Sequence, residues 1–223
     1  MYEQHVTQIQ SALPEHKVIY IGSEQGFSLS GIPLGGDQYI LSKLQDNLDK
    51  TKEVIGNICR LKNTQEKLIL LLQCIPGRIQ HLLAAVPIYL SRDFARQHDE
   101  AITKAVAATL DLGDLTDRDK LLMQRKISKH GLGLRSMEKN VEFLFISGFI
   151  RSIKSVKNTF PNINKALQYT IEGESGIGRQ LADALSTLHG FPSQKLRLLL
   201  PDTIEHALSD SFEWHHDEVQ RET

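Results

Sequence analysis

A glycine- and proline-rich turn followed by a long helical periodicity limits this chain more than any other feature. Residues 27–40 read FSLSGIPLGGDQYI. Phe27–Ser30 reads as a short apolar strand, and Gly31-Ile32-Pro33-Leu34-Gly35-Gly36 as the turn that ends it. Glycine reaches backbone angles that other residues resist, while Pro33 fixes one angle and removes a donor. Asp37 then stands at a helix N-cap position. Behind it Tyr39, Ile40, Leu44, Leu48, Val54, Ile55 and Ile58 recur at three- and four-residue spacing, which places them on one face of a helix. Upstream, Lys17–Ile21 reads as another strand, preceded by a short amphipathic helix from Glu3 to Leu13. Short strands of this kind are not stable alone in water. The sequence therefore implies a chain that begins partway through a larger fold.

The helical pattern continues along the chain and thins beyond Asn162. Asn63-Thr64 opens a helix whose seam runs through Leu68, Leu72, Ile75, Ile79, Leu82 and Val86, with Pro76-Gly77 inside it. A proline there breaks or kinks the helix, so the expected form is a helix, a kink and a second helix ending at Pro87. Ser91 is the expected cap of a helix over 92–110, ended by Gly113. Thr116 or Asp117 caps the next, which carries Leu121, Leu122 and Ile127 and stops at the loop His130–Ser136. Ser136, Lys139 and Asn140 open a helix with Val141, Leu144, Phe145, Phe149, Ile150 and Ile153 on one side. Further helices are expected near 163–169, 178–188 and 193–208, before a polar, frayed end. The fold class is mainly α: a helical bundle with a small N-terminal β-hairpin.

With 40% hydrophobic and 24% charged residues, the 223-residue chain has globular composition. Its apolar runs, such as Leu68–Leu72, are far short of the roughly 20 residues a membrane span needs, and its first residues do not form a secretory signal. Cys59 and Cys74 lie in apolar helical patterns without metal-type spacing. They read as reduced, buried thiols of an intracellular protein, cytoplasmic or nuclear. A net charge of -1 hides an uneven distribution. Arg118, Lys120, Arg125, Lys126, Lys129, Arg135, Lys139, Arg151, Lys154 and Lys157 face only Asp119, Glu138 and Glu142 across the same span. From Asp202 onward the balance reverses, with Asp202, Glu205, Asp210, Glu213, Asp217, Glu218 and Glu222 against Arg221 alone. A basic block is the footprint of a polyanion site, although a solvated helix face gives the same pattern.

Three stretches in fixed order carry a resemblance. They are the turn at 29–37, then LLLQCIPGRIQHLL at 70–83 with Val86-Pro87, then Met123-Gln124 through Gly131-Leu132-Gly133-Leu134-Arg135-Ser136. From about Lys17 to Ile153 the chain resembles the reverse transcriptases of non-LTR and related retrotransposons, in the part that runs from the end of the palm through the primer grip into the helical thumb. The resemblance divides the chain into residues 1–36, the end of the palm and the grip hairpin; 37–157, a thumb-like helical domain; and 158–223, a helical extension with an acidic, partly disordered tail. It does not reach the catalytic centre. The polymerase palm holds two Mg²⁺ ions on Asp residues, two of them adjacent, and this sequence has no Asp-Asp pair. By itself the chain is expected to catalyse nothing and to need no cofactor, though a complete polymerase would require Mg²⁺.

What the resemblance leaves is the holding of a duplex, RNA–DNA or DNA, by shape and charge. It implies that Gly31 and Gly35 approach the primer end, and that Arg78, Gln80 and His81 face the duplex. Gly131, Gly133 and Arg135 form a loop before a helix, a place suited to a phosphate. The full-length element would supply palm and fingers as a partner, and no membrane is expected. The alternatives are a helical protein–protein interaction module that binds no nucleic acid, or a relic without function. Trp214-His215-His216-Asp217-Glu218 offers metal-ligand types, but adjacent histidines on a helix diverge by about 100°. No metal site is expected.

Overall fold

A two-stranded antiparallel hairpin opens the described chain. The computed structural model describes residues 25–159 (backbone alone from 153 onward) together with Gln180, Leu181 and Ala184. The expected helix at 3–13, the strand at 17–21, the helices at 163–169 and 193–208, and the acidic tail lie outside the described residues. Strand β1 (Gly26–Leu29) pairs with β2 (Ile32–Gly35), with Gly26 opposite Gly35 and Leu29 opposite Ile32. Ser30 (φ 51°) and Gly31 (φ 83°) make the whole connection. Both lie in the left-handed region, which suits the twist of a two-residue hairpin turn. The turn is therefore tighter than the glycines suggest, and Ile32–Gly35 is the second strand rather than part of the loop. Pro33 is tolerated because this short strand is an edge, where a missing donor leaves no ladder bond unmade. Pro33 is buried and Gly26 stands against the Tyr39 ring, so one face of the hairpin covers the next helix.

Helix α1 (Asp37–Cys59) buries Ile40, Leu44, Leu48, Thr51, Ile55 and Ile58, the stripe expected from its spacing. Its N-cap is Gly36, one residue before the expected Asp37. Asp37 instead accepts a hydrogen bond from the Tyr89 hydroxyl at 2.9 Å. Partial burial, helped by this carboxylate, pushes the Tyr89 phenol above its ordinary pKa.

The Asn63 side chain accepts from the Gln65 amide at 2.9 Å and starts α2 (Thr64–Ile69). The break that Pro76 demands is spread over several residues. A π turn at Leu70–Cys74 is followed by a 3₁₀ turn at Pro76–Ile79, then by the single-turn α3 (Gln80–Leu83). Widening the helix before a proline gives the ring room and lets Ile75 donate to the Leu70 carbonyl at 3.2 Å. Cys74 is exposed on this segment and Cys59 is half-buried, so the expectation of two buried thiols is corrected.

Helix α4 (Ile88–Thr109) begins earlier than expected, with Pro87 at its N-cap and the Gln180 side chain accepting from the Ile88 amide at 3.2 Å. Ser91, the expected cap, lies inside the helix and is buried. Packing decides this start, since Ile88 and Leu90 belong to the core. The helix ends on Asp111 (φ 52°), two residues before Gly113, and the Leu112 amide returns to the Ala107 carbonyl at 3.0 Å. This is a Schellman-type closure, with aspartate in the place glycine usually takes. Helix α5 (Asp117–Gln124) starts with a Thr116/Asp119 capping box. It stops short of Ile127, which sits in a separate 3₁₀ turn, Ile127–Lys129. A 3₁₀ turn at Glu138–Asn140 leads into α6 (Val141–Thr159).

Two apolar clusters fill the bundle. The first joins Leu44 and Leu48 of α1, Ile79, Leu82 and Leu83, Phe94 and Ala95 of α4, and Val141, Phe145 and Ile146 of α6. Leu181 and Ala184, two residues of the helix expected over 178–188, belong to it too; most of that stretch lies outside the described residues. The second joins Ile55 and Ile58, Leu71 and Ile75, Ile102 and Val106, Met123 and Leu134. Helices α1 and α4 thus run in the same direction through both clusters, and the kinked segment and α6 run back. Between the clusters sit two buried polar side chains, Thr51 on α1 and His98 on α4. Among the described residues neither ring nitrogen of His98, nor the Ser91 hydroxyl, has a hydrogen-bond partner. Helix α6 approaches α3 so closely at Gly148 that a Cβ there would stand 2.2 Å from the Ala84 carbonyl oxygen. Among the described residues no helix is long and apolar enough to cross a membrane.

Candidate nucleic-acid interface

The eight residues singled out by the sequence fall into two groups. Gly31, Gly35, Arg78, Gln80 and His81 lie around the hairpin, beside the first cluster. There Ile79, Leu82 and Leu83 point into the core, which leaves Arg78 and His81 exposed three residues apart. Side chains at that spacing share one face of a helical turn. Gln80 is half-buried. The hairpin turn meets this face: a Cβ at Gly31 would stand 3.8 Å from His81 Nε2. Gly35 (φ 143°) closes the other end of the hairpin against the Gln25 backbone, away from the turn. Two of the three motifs therefore converge in space, although a whole helix separates them in sequence.

Gly131, Gly133 and Arg135 lie beside the second cluster, where Leu134 is buried. The loop folds back on the end of α5. Gly131 donates to the Lys126 carbonyl at 3.1 Å, Gly133 to Arg125 at 2.9 Å, and Leu134 to Met123 at 2.9 Å. Gly131 is needed for this close approach, since a Cβ there would meet the Arg125 carbonyl oxygen at 2.1 Å. The loop amides that a phosphate would use are thus occupied within the chain. The start of the next helical stretch is occupied as well. Asp99, on α4, accepts from the Ser136 hydroxyl at 2.7 Å, the Met137 amide at 2.9 Å and the Glu138 amide at 3.1 Å. Ser136 Oγ in turn accepts from the Lys139 amide at 3.2 Å. The helix start expected to suit a phosphate already holds the chain's own carboxylate. Only the Arg135 side chain remains available from this group. Nothing in the sequence marks Asp99 for this role. An acid in the middle of an amphipathic helix, here beside Glu100, reads as solvated, and its partners lie far along the chain.

Side chains, not amides, dominate the remaining surface. Arg118, Arg125, Lys126, Lys129 and Arg135 are all exposed. None of them joins an ion pair among the described residues. Exposed Leu121 and Ile127 stand among these cations. A neighbouring cleft of about 910 Å³ lies between α4, the α4–α5 connection and Ser136–Lys139. It was not foreseen from the sequence. Arg96, Lys104, Lys120 and Lys139 line it, but so do Asp99, Glu100, Asp114 and Glu138. With both signs interleaved and Arg96 already paired to Glu100 at 2.6 Å, the cleft has no net cationic character and is a poor channel for a polyanion. Among the described residues no group of three or more His, Cys, Asp and Glu side chains could hold a metal ion.

The fold and this surface define a mainly helical bundle with an N-terminal hairpin and one strongly basic edge. No protein-family model, curated protein or solved structure matches the chain.

Proposed function

We propose that the chain is the grip-and-thumb part of a retroelement reverse-transcriptase-like protein, and that it binds duplex nucleic acid weakly by the phosphate backbone without catalysing a reaction. One observation carries this reading: the hairpin turn at Gly31 lies against His81, beside exposed Arg78. The resemblance implies that both motifs lie near the primer–template, and the proximity of Gly31 to His81 supports that reading. The unpaired cations Arg118, Arg125, Lys126, Lys129 and Arg135 supply a second set of phosphate contacts. Palm and fingers would come from a longer form of the protein.

The test is binding of the full chain to a labelled RNA–DNA hybrid over a salt series, beside the Arg78→Glu/Arg135→Glu variant. Each neutralised phosphate steepens the fall of log affinity with log salt by about 0.7–0.9. The parent should show a slope of several such steps, and the variant a shallower slope with weaker binding. Parent and variant binding alike, or no binding at low salt, would leave the second reading. That reading is a helical protein-interaction module, and the exposed outer face of the hairpin favours it: Phe27 is 43% exposed and Leu29 59%. Alternation along the strands puts these two on the face opposite Pro33, where apolar surface would meet a protein partner.

A further inference from the structure

The patch formed by α5 and the turn after it combines two kinds of surface that a phosphate backbone does not satisfy together. Arg118, Arg125, Lys126 and Lys129 are exposed without ion pairs among the described residues, as shown above. Interspersed with them, Leu121 is 60% exposed and Ile127 70% exposed. Phosphates would satisfy the cations and leave the leucine and isoleucine in water. An acidic peptide carrying large apolar side chains would satisfy both. The chain contains one. From Asp202 onward seven carboxylates stand against Arg221, with Phe212 and Trp214 among them.

We propose that the acidic C-terminal segment, residues 202–223, docks on this patch and competes there with polyanions. Reach does not prevent it. The stretch from Ala184, which packs on the first cluster, to Asp202 can span up to about 60 Å. The long helix α1, with 23 residues, measures about 35 Å. Being tethered, the segment is present at high effective concentration, so a modest intrinsic affinity suffices to cover the patch. Opposite charge makes the contact salt-sensitive. The competition rests on the proposed nucleic-acid binding; the docking itself does not.

Trp214 is the single tryptophan of the chain, so its fluorescence reports on the segment directly. In the full chain at low salt, Trp214 should be shielded from acrylamide, with emission to the blue of a free 202–223 peptide. Both properties should revert to those of the peptide at high salt and in the Arg118→Glu/Arg125→Glu/Lys126→Glu variant, whose helicity should match the parent because all three side chains are exposed. Leu121→Ser/Ile127→Ser should reduce the shielding without changing net charge. Free-peptide behaviour of Trp214 in the parent would overturn the docking, as would shielding unchanged in both variants. Hybrid binding is then compared between the parent and Asp210→Asn/Glu213→Gln/Asp217→Asn/Glu218→Gln. Binding tighter by roughly tenfold is expected on release of the tethered competitor. Equal binding with shielding lost would overturn the competition. If neither chain binds the hybrid, the proposed function fails, and the tryptophan result alone decides the docking.

Discussion

Replacing Asp99 with alanine tests the contact that ties α4 to the start of α6. The carboxylate accepts three hydrogen bonds, from the Ser136 hydroxyl and the Met137 and Glu138 amides, at 2.7 to 3.1 Å. Ser136 and Met137 are buried, so alanine leaves donors that water reaches poorly. A hydrogen bond to a charged group contributes about 1.5–3 kcal/mol, and a helix cap about 0.5–2 kcal/mol. The three bonds share one acceptor group and do not add, so the expected loss is about 3 kcal/mol. For a chain of this size that lowers Tm by roughly 10 °C. Asp99→Asn keeps the shape and one acceptor oxygen but loses the charge, and should fall between parent and alanine. Denaturant unfolding followed by circular dichroism gives the free energies, with an unchanged m-value showing that the unfolded state is not the source. Hydrogen exchange localises the effect, since the Met137 and Glu138 amides should be the ones that exchange faster. An alanine variant within about 0.5 kcal/mol of the parent, with those two amides equally protected, would refute this account of the contact.

Two further outcomes follow from the packing and the caps. Gly148→Ala should destabilise by about 2 kcal/mol despite alanine's better helix propensity, because overpacking against the Ala84 carbonyl outweighs a gain of about 1 kcal/mol. Thermal unfolding checks it, and a more stable variant would show that α3 and α6 can separate freely. The Thr116 hydroxyl and amide, donating to Asp119, hold that carboxyl below the ordinary aspartate pKa. Its contribution is therefore complete above the unfolded-state pKa and disappears as pH falls through the lower folded one. A carboxyl titration by NMR should place the Asp119 midpoint below that of a free aspartate, and Thr116→Ala should return it most of the way; an unshifted parent midpoint would contradict the capping box.

Local chemistry was legible wherever a short stretch of sequence contains both partners. The Asn63 and Thr116 caps each bond within their own first turn, and the stripe of α1 follows directly from its spacing. The break at Pro76 is equally local, because the missing donor and the ring clash belong to that residue alone. What failed were features that a distant part of the chain decides. Helix α4 starts before Ser91 because Ile88 and Leu90 join the core and Gln180 caps the first amide. The hairpin turn lies at Ser30-Gly31, and Pro33 is buried in the second strand opposite Ser28.

The candidate surface divides the same way. By itself the sequence determined that the chain is mainly helical with a small hairpin, and that positive charge accumulates between Arg118 and Lys157. It could not determine which groups are free to meet a ligand. The fold brought Gly31 beside His81, and it filled the helix start after Arg135 with Asp99. Periodicity and capping depend on neighbours a turn away, and so they are written in the order of residues. The pairing of a donor with an acceptor on another helix depends on how the helices pack, and only the tertiary structure contains that.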